Sequence, residues 1–298
     1  MKFDSYHPAI NLIYFTAAIS LTLCFNHPVF TAISYICAFA YSVKLNGKRG
    51  LVFDLCLIPP ALIFAGWYSY YNHFGVTNLR QNFIGNEITF EALMYGIETG
   101  IVIITVIMFF SCVFAVFSSD KIVYLFGRVS PKLSLFVSIL LRMVPKIKQY
   151  GKRINVAQMG IGRSPNQGNI WKKIVNSLRM ISILITWTLE NIVESSQSMQ
   201  CRGYSLKGRT AFSIYRFDNR DRSFVIAIFL LLTITGCGWA LNQANIHYDP
   251  QIIMADITPV SYVFYTAYGL LLLMPMIIQI YSEKKFDRIE KKYLIKSD

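Results

Sequence analysis

Charged residues are scarce in this sequence of 298 residues. Asp, Glu, Lys and Arg together make up 15%, whereas a soluble domain carries about 25%. Hydrophobic residues reach 54%, and the mean hydropathy is +0.43. A chain with so little charge does not match the composition of a soluble globular protein. The composition therefore predicts an all-α polytopic membrane protein.

The sequence also lacks the short motifs of common catalytic and metal sites. It contains no GxxxxGK[ST] phosphate loop, no HExxH motif and no CxxC pair. Five of the six cysteines lie within apolar runs, and we interpret the cysteines as small buried hydrophobic residues in a reduced or lipid setting. The histidines are scattered, without ligand spacing on a helix: His7, His27, His73 and His247. These absences predict a non-catalytic protein without a cofactor or a metal site.

Long apolar runs account for most of the chain. A membrane-spanning helix needs about 20 mostly apolar residues, and six segments meet this approximately. Two adjacent prolines, Pro59 and Pro60, are expected to kink the third segment, because proline removes a backbone donor and clashes with the preceding turn. The six predicted spans are Ile10–Phe25, Val29–Val43, Leu51–Tyr71, Ala92–Phe117, Phe224–Leu241 and Val260–Tyr281.

Two acidic residues, Asp54 and Glu98, fall inside these spans. Acids within the membrane sometimes mark an ion pathway. Both lie near the end of a predicted span, so a local partner is the simpler interpretation. For Asp54 the expected partner is Lys48 or Arg49, which precede it by a few residues.

Basic residues are distributed unevenly between the connections. The segment Lys44–Gly50 holds three, the segment 118–222 holds 18 of the 29, and the tail from Glu283 holds six. The other connections contain one basic residue, Arg80. Because basic loops stay on the cytoplasmic side, this asymmetry predicts a multi-pass protein of the cell membrane with both termini in the cytoplasm.

The predicted organisation has three parts. Residues 1–117 form a membrane domain with four spans, 118–222 form a cytoplasmic helical hairpin, and 223–298 form a second membrane domain with two spans and a basic tail. The net charge of +13 is compatible with nucleic acid, anionic lipid or an acidic protein. Its position beside predicted spans favours contact with membrane lipid over nucleic acid.

Two segments of the central region have helical periodicity. Apolar residues recur at spacings of three and four from Pro131 to Gly160 and again from Asn169 to Gly203. Pro145 is expected to bend the first helix. The residues between them, "IGRSPNQGN", are typical of a turn. This hairpin fits either a pair of helices lying on lipid or a docking platform for a cytoplasmic partner.

The stretch "MQCRGYSLKGR", which begins at Met199, ends the second helix. Glu194, Ser198 and Arg202 are spaced to lie on one polar stripe. Gly203 is predicted to end the helix, because glycine adopts the left-handed conformation of a cap at little cost. Arg202 then either complements the helix dipole or projects into an acidic pocket of another protein.

The residues "SMQCRGY" resemble the second Ala-Arg-Gly signature of the transmembrane T component of energy-coupling-factor transporters, with Cys201 at the alanine position. The segment "LLRMVPKIKQYGKRINVAQMG" resembles the first long cytoplasmic helix of that family, whose Arg-x-x-Pro start is matched by Arg142 and Pro145. The first Ala-Arg-Gly signature falls on Gly160-Ile161-Gly162. Ile161 occupies its arginine position, and Arg163 lies two residues beyond.

The resemblance implies a coupling subunit of an ATP-driven importer. In that family two cytoplasmic helices dock on two ABC-type ATPase subunits, and the membrane part holds a substrate-binding S component. The usual cargo is a vitamin or a transition-metal ion. A stand-alone secondary carrier, or another kind of polytopic membrane protein, is the alternative. The implied ATPase-coupling residues are Arg202, Gly203, Cys201, Glu194 and Arg163; the implied structural residues of the coupling helices are Arg142, Pro145, Gly160 and Gly162.

Overall fold

A computed structural model describes residues 3–72, 74–81, 87–165, 169–204, 206, 215, 217–241, 243, 246–254 and 258–294. The chain divides into two compact units. The first combines residues 1–118 with residues 215–298, and the second comprises residues 119–214. Helices dominate both, and the chain is an all-α polytopic membrane protein, as the composition predicted.

Nine α-helices and two small antiparallel strand pairs are described. The helices are α1 Pro8–Cys24, α2 Pro28–Cys56, α3 Ile58–Tyr71, α4 Phe90–Val116, α5 Ser119–Val129, α6 Pro131–Gly160, α7 Ile170–Cys201, α8 Asn219–Ala240 and α9 Pro259–Leu294, preceded by a 3₁₀ turn at Phe3–Ser5. The strands are β1 Asn78–Gln81 paired with β2 Glu87–Thr89, and β3 Ile246–His247 paired with β4 Ile253–Met254.

Four helical segments are long and apolar enough to cross a membrane: Pro28–Tyr71, Phe90–Val116, Asn219–Ala240 and Pro259–Glu290. The shorter apolar helix α1 precedes them. Each of the six predicted spans overlaps a helix of this set, whereas the number of crossings stays a prediction. Pro59 and Pro60 lie in the first turn of α3, which follows the turn residue Leu57, and the kink of the third span stays a prediction.

Helix α2 reverses direction at Gly47, inside the connection predicted between the second and third spans. Gly47 has φ of 60° and ψ of −140°, which no helix adopts. A Cβ on Gly50 would lie 3.0 Å from the carbonyl oxygen of Ser42, eight residues earlier. Eight residues of continuous helix rise about 12 Å, so this contact requires the chain to fold back. Glycine permits the positive φ that makes the reversal possible.

The core of the first unit is built by α1, α2, α4, α8 and α9. The Tyr14 hydroxyl of α1 donates a hydrogen bond of 2.8 Å to the carbonyl oxygen of Leu272 in α9. Helices α3 and α4 approach closely, because a Cβ on Gly100 would lie 3.2 Å from the Ala61 carbonyl oxygen. Small residues allow such approach in membrane proteins, where packing rather than hydrophobicity holds helices together.

The two acids in the predicted spans have different surroundings. The Glu98 carboxylate accepts hydrogen bonds from the hydroxyls of Tyr248 and Thr31. Asp54 is fully buried, and its carboxyl oxygens have no hydrogen-bond partner among the described residues. The expected ion pair of Asp54 with Lys48 or Arg49 is therefore wrong: the reversal at Gly47 turns Asp54 inward while both basic side chains stay on the surface.

Two of the four histidines begin helices. The Nδ1 atom of His7 accepts the Ala9 N–H at 3.2 Å, and Nδ1 of His27 accepts the Val29 N–H at 3.3 Å. These contacts satisfy backbone donors that the first turn of each helix leaves unpaired. His73 lies outside the described residues, and His247 belongs to β3.

Candidate functional site: the ends of two long helices

The second unit is organised by α6 and α7. The Asn169 side chain accepts the Ile170 N–H at 2.8 Å and so caps the beginning of α7. Pro145 lies inside α6, which continues through it. The two helices cross where the rings of Tyr150 and Trp187 stack with centroids 4.7 Å apart. The Tyr150 hydroxyl also donates to Asn191 at 3.2 Å. The predicted helical hairpin is therefore present.

Helix α7 buries no residue. Its periodic apolar residues, which predicted the helix, are between 45% and 77% exposed. We call them the apolar stripe: Trp171, Ile174, Leu178, Ile181, Ile185, Leu189 and Ile192. Seven large apolar side chains exposed along one helix are typical of a contact with a protein or with lipid. The stripe thus makes α7 an interaction element rather than part of a closed core.

The end of α7 is a complete Schellman motif. Gly203 has φ of 77°, its N–H bonds to the Gln200 carbonyl at 3.0 Å, and the Tyr204 N–H bonds to the Met199 carbonyl at 3.2 Å. These two bonds satisfy carbonyls that the helix end leaves free. Arg202 is the last residue before the glycine and caps the helix. The sequence prediction that Gly203 ends this helix is confirmed.

The end of α6 has the same motif. Gly162 has φ of 71°, its N–H bonds to the Met159 carbonyl at 3.1 Å, and the Arg163 N–H bonds to the Gln158 carbonyl at 2.9 Å. When the two helix ends are aligned on their Schellman bonds, Gly160 corresponds to Cys201, Ile161 to Arg202, and Gly162 to Gly203. The geometry therefore gives the same register as the sequence motif. Arg163 corresponds to Tyr204, which places it beyond the helix cap.

The residues at both ends are accessible. Arg202, Cys201 and Glu194 are exposed, as are Ile161 and Arg163. Among the described residues, the Arg202 guanidinium has no ion-pair partner. Glu194 precedes Arg202 by eight residues, so the two charges lie about 12 Å apart along the helix and do not pair. Arg202 is therefore available to a carboxylate of another molecule.

The two ends are far apart within the second unit. The Asn176 side chain donates to the Ser164 carbonyl at 3.3 Å, which fixes the end of α6 beside the first turns of α7. From Asn176 to Cys201, α7 extends for 25 residues, or about 38 Å. A single small pocket cannot contact both ends. The structure thus has two separate helix ends with one backbone geometry.

The structure shows exposed apolar residues at the end of α6 that the sequence analysis did not single out. Ile154 of α6 is buried, whereas Val156 and Met159 are 70% and 51% exposed. Most of the periodic apolar residues of α6 are exposed as well: Leu133, Phe136, Leu140 and Ile147 are between 37% and 59% exposed. With Ile161, Val156 and Met159 form a group of exposed apolar side chains at the end of α6, beside the exposed basic residues Lys152 and Arg153.

Comparisons with known proteins agree with the resemblance. No protein-family model matches the chain. The "Energy-coupling factor transporter transmembrane protein EcfT" of Bacillus selenitireducens is 31% identical over 101 residues, which cover 34% of this chain and 37% of that protein. The protein of the same name from Lactococcus lactis subsp. cremoris is 28% identical over 110 residues, which cover 37% of this chain and 41% of that protein. The similarity thus spans well under half of either relative, and the resemblance is confirmed over that part.

Proposed function

We propose that this chain is the T component of an energy-coupling-factor transporter. It is a non-catalytic membrane subunit that transmits the motion of ATPase partners to a substrate-binding S component. The observation that carries this proposal is the pair of Schellman ends on α6 and α7, which repeat one docking geometry about 38 Å apart. The similarity to two curated transmembrane subunits of such transporters supports it.

Each helix end is proposed to dock on one ABC-type ATPase subunit. Two sites separated by about 38 Å suit two subunits rather than one pocket. At the end of α7, Arg202 binds a carboxylate of the ATPase, because its planar guanidinium matches a carboxylate with two parallel hydrogen bonds. Cys201, Gly203 and Glu194 complete this surface. Arg163 lies near the other site but contributes less, since it sits beyond the cap.

The apolar stripe of α7 is proposed to contact the S component. When the ATPases close on ATP, they displace the ends of α6 and α7. A rigid helix conveys that displacement along its length, and an apolar surface without directional bonds slides against its partner by shear. The cargo that the S component selects is a vitamin or a transition-metal ion. No residue of this chain is assigned to bind it.

The proposed topology places both termini and the hairpin of residues 118–222 in the cytoplasm, with membrane domains over 1–117 and 223–298. The uneven distribution of basic residues supports it. Single cysteines introduced at Gly85 and Lys207 are expected to react with an impermeant maleimide from opposite sides of the membrane. Both positions lie outside the described residues. Labelling from the same side would rule this topology out.

The decisive experiment concerns Arg202. Arg202→Ala leaves the partner carboxylate unpaired in a partly buried groove, which costs on the order of 2–5 kcal/mol of association. Arg202→Lys keeps the charge but loses the paired geometry, so its loss should be smaller. We expect Arg202→Ala to release the ATPases during purification and to reduce ATP-driven uptake in vesicles. Arg163→Ala should have a smaller effect.

The matched control is Arg179→Ala, because Arg179 is an exposed arginine of the same helix, far from its end. It should retain the ATPases. Equal retention by Arg202→Ala and Arg179→Ala would remove the coupling role of Arg202. Substrate uptake by the purified chain alone would instead favour a stand-alone secondary carrier.

A further inference from the structure

An open cavity of about 600 Å³ lies in the first unit, where three segments of the chain meet. The residues after the N-terminal 3₁₀ turn contribute Tyr6, the beginning of α8 contributes Asp218 and Arg220, and the end of α9 contributes a longer face. The ring of Tyr6 packs on Phe224 of α8, with centroids 5.3 Å apart, which holds the N-terminal segment in place. The cavity has the volume of an ordinary small-ligand site, about 300–1,000 Å³.

The cavity lies at the boundary between charged and apolar sequence in two helices. Both α8 and α9 contain segments apolar enough to cross a membrane. In α8 the charged residues end at Arg222 and the apolar run begins at Phe224; in α9 the apolar run ends at Tyr281 and the charged residues begin at Glu283. At such a boundary the hydrocarbon of a bilayer gives way to the lipid headgroups. The cavity is therefore placed to receive a headgroup.

The α9 wall of the cavity is apolar at both ends and charged in the middle. Phe286 and Ile289 lie about 8–12 Å beyond Tyr281, past the first charged residues of the tail. They are 64% and 44% exposed, so they form an apolar cover on the water side. The residues of this wall share one helical face, at spacings of three and four: Ile278, Tyr281, Ser282, Lys285, Phe286 and Ile289.

The cavity carries charges of both signs that do not pair with each other. Lys285 and Asp218 both line it, and neither has an ion-pair partner among the described residues. Asp218 begins α8 in a capping box: its carboxylate accepts the Asp221 N–H, and the Asp221 carboxylate accepts the Asp218 N–H at 3.1 Å. A carboxylate has about four acceptor sites, so that of Asp218 accepts further donors. A ligand with one positive and one negative group would satisfy both charges.

The sequence around the cavity is balanced in charge. Residues 218–222 hold two acids and two bases, and residues 283–290 hold three of each. This balance favours a zwitterionic headgroup over an anionic one. A phosphate and a primary ammonium group both form charge-assisted hydrogen bonds, with a lysine and a carboxylate respectively. A quaternary ammonium group keeps the positive charge but has no N–H to donate.

We propose that this cavity binds the headgroup of one phosphatidylethanolamine molecule. The phosphate contacts Lys285, and the ammonium group contacts Asp218. The glycerol backbone and the first methylene groups pack on Ile278 and Tyr281, while Phe286 and its neighbours cover the headgroup from water. The lipid thereby joins the N-terminal segment, α8 and α9 at the membrane surface. This inference uses only the first unit and does not depend on the proposed function.

Native mass spectrometry of the full chain in detergent measures this binding directly. The chain is titrated with dioleoyl phosphatidylethanolamine, with its N-methylated series up to phosphatidylcholine, and with phosphatidylglycerol. We expect phosphatidylethanolamine to bind at least about tenfold more tightly than phosphatidylcholine, because the quaternary headgroup loses its hydrogen bonds to Asp218. Phosphatidylglycerol should also bind more weakly, since it offers no cation to that carboxylate.

Two substitutions test the two charges separately. Lys285→Gln should weaken the binding of phosphatidylethanolamine about tenfold. Lys284→Gln is the matched control and should bind as the unsubstituted chain does, because Lys284 is exposed and does not line the cavity. Asp218→Asn preserves the helix cap, since asparagine caps as well as aspartate. It should remove the preference for phosphatidylethanolamine over phosphatidylglycerol and leave the melting temperature in detergent unchanged.

Four results would overturn the inference. Equal binding of phosphatidylethanolamine and phosphatidylcholine would remove the contact with Asp218. Equal binding by Lys285→Gln and Lys284→Gln would place the lipid elsewhere. Tighter binding of phosphatidylglycerol to the unsubstituted chain would make the cavity an anionic-lipid site. Displacement of the lipid by an equal amount of soluble glycerophosphoethanolamine would assign the cavity to a soluble phosphate ester.

Discussion

The left-handed backbone at the end of α7 leads to a quantitative prediction. Gly203 has φ of 77°, where the Cβ of an L-residue crowds the following carbonyl and costs about 1–2 kcal/mol. The Cβ of alanine would also lie 3.2 Å from the Leu206 Cδ1, the flexible end of a side chain that yields by a small shift. Gly203→Ala therefore disfavours the Schellman end, and with it the position of Arg202, by about 1–2 kcal/mol.

If the ATPase binds only the Schellman conformation of the α7 end, the apparent Kd rises as the fraction of the chain in that conformation falls. A penalty of about 1–2 kcal/mol weakens the affinity by up to roughly 5–30-fold, the full factor being reached when the alternative conformation becomes the dominant one. The assay is the binding of purified ATPase to the chain in lipid nanodiscs, followed by biolayer interferometry. Gly203→Asn should weaken binding less, because asparagine tolerates the left-handed region.

Gly151→Ala is the matched control for this measurement. Gly151 lies inside α6 with helical backbone and open space around it, so alanine there stabilises the helix by about 0.5–1 kcal/mol. Its Kd should equal that of the unsubstituted chain. A Gly203→Ala variant that binds as tightly as Gly151→Ala would refute the argument that the helix-end geometry supports docking.

Two further predictions concern stability. Burial lowers the pKa of His27, so the folded state disfavours the protonated imidazole. The melting temperature of the protein should therefore decrease as the pH falls below about 6.5, which is the pKa of an unperturbed histidine. His27→Asn keeps a side-chain acceptor for the Val29 N–H and should reduce this pH dependence; an unchanged slope would show that other groups cause it. Gly100→Leu should destabilise the protein by about 1–3 kcal/mol, because α3 leaves no room for the side chain. Gly66→Leu, which faces open space, should melt no lower than the unsubstituted protein, and equal melting of both variants would contradict the close packing.

The bounds of the helices in the second unit could be predicted from the sequence, because they depend on residues close together in the chain. The predicted range Pro131–Gly160 has the same bounds as α6. Proline suits the first turn of a helix, and Gly162 follows the last turn. The predicted end at Gly203 depends on one residue that tolerates positive φ. The register of the Gly160-Ile161-Gly162 motif also follows from local bonds.

Features that depend on contacts between distant residues were not predictable in this way. The inward position of Asp54 follows from the reversal at Gly47, which pairs residues 42 and 50. The hydroxyl of Tyr248 reaches Glu98 across 150 residues of sequence. The exposure of α6 depends on which neighbours pack against it: of its periodic apolar residues only Ile154 is buried, although the periodicity alone would favour one buried face.

The apolar stripe of α7 has a consequence for the turnover of the subunit in the cell. A copy synthesised in excess of its partners presents seven large apolar side chains to chaperones and proteases, which bind such segments. Assembly would cover the same residues and remove the degradation signal. For a chain with the proposed partners, we expect the steady-state abundance to follow that of the scarcest partner, so that protein turnover rather than transcription sets the stoichiometry of the proposed complex.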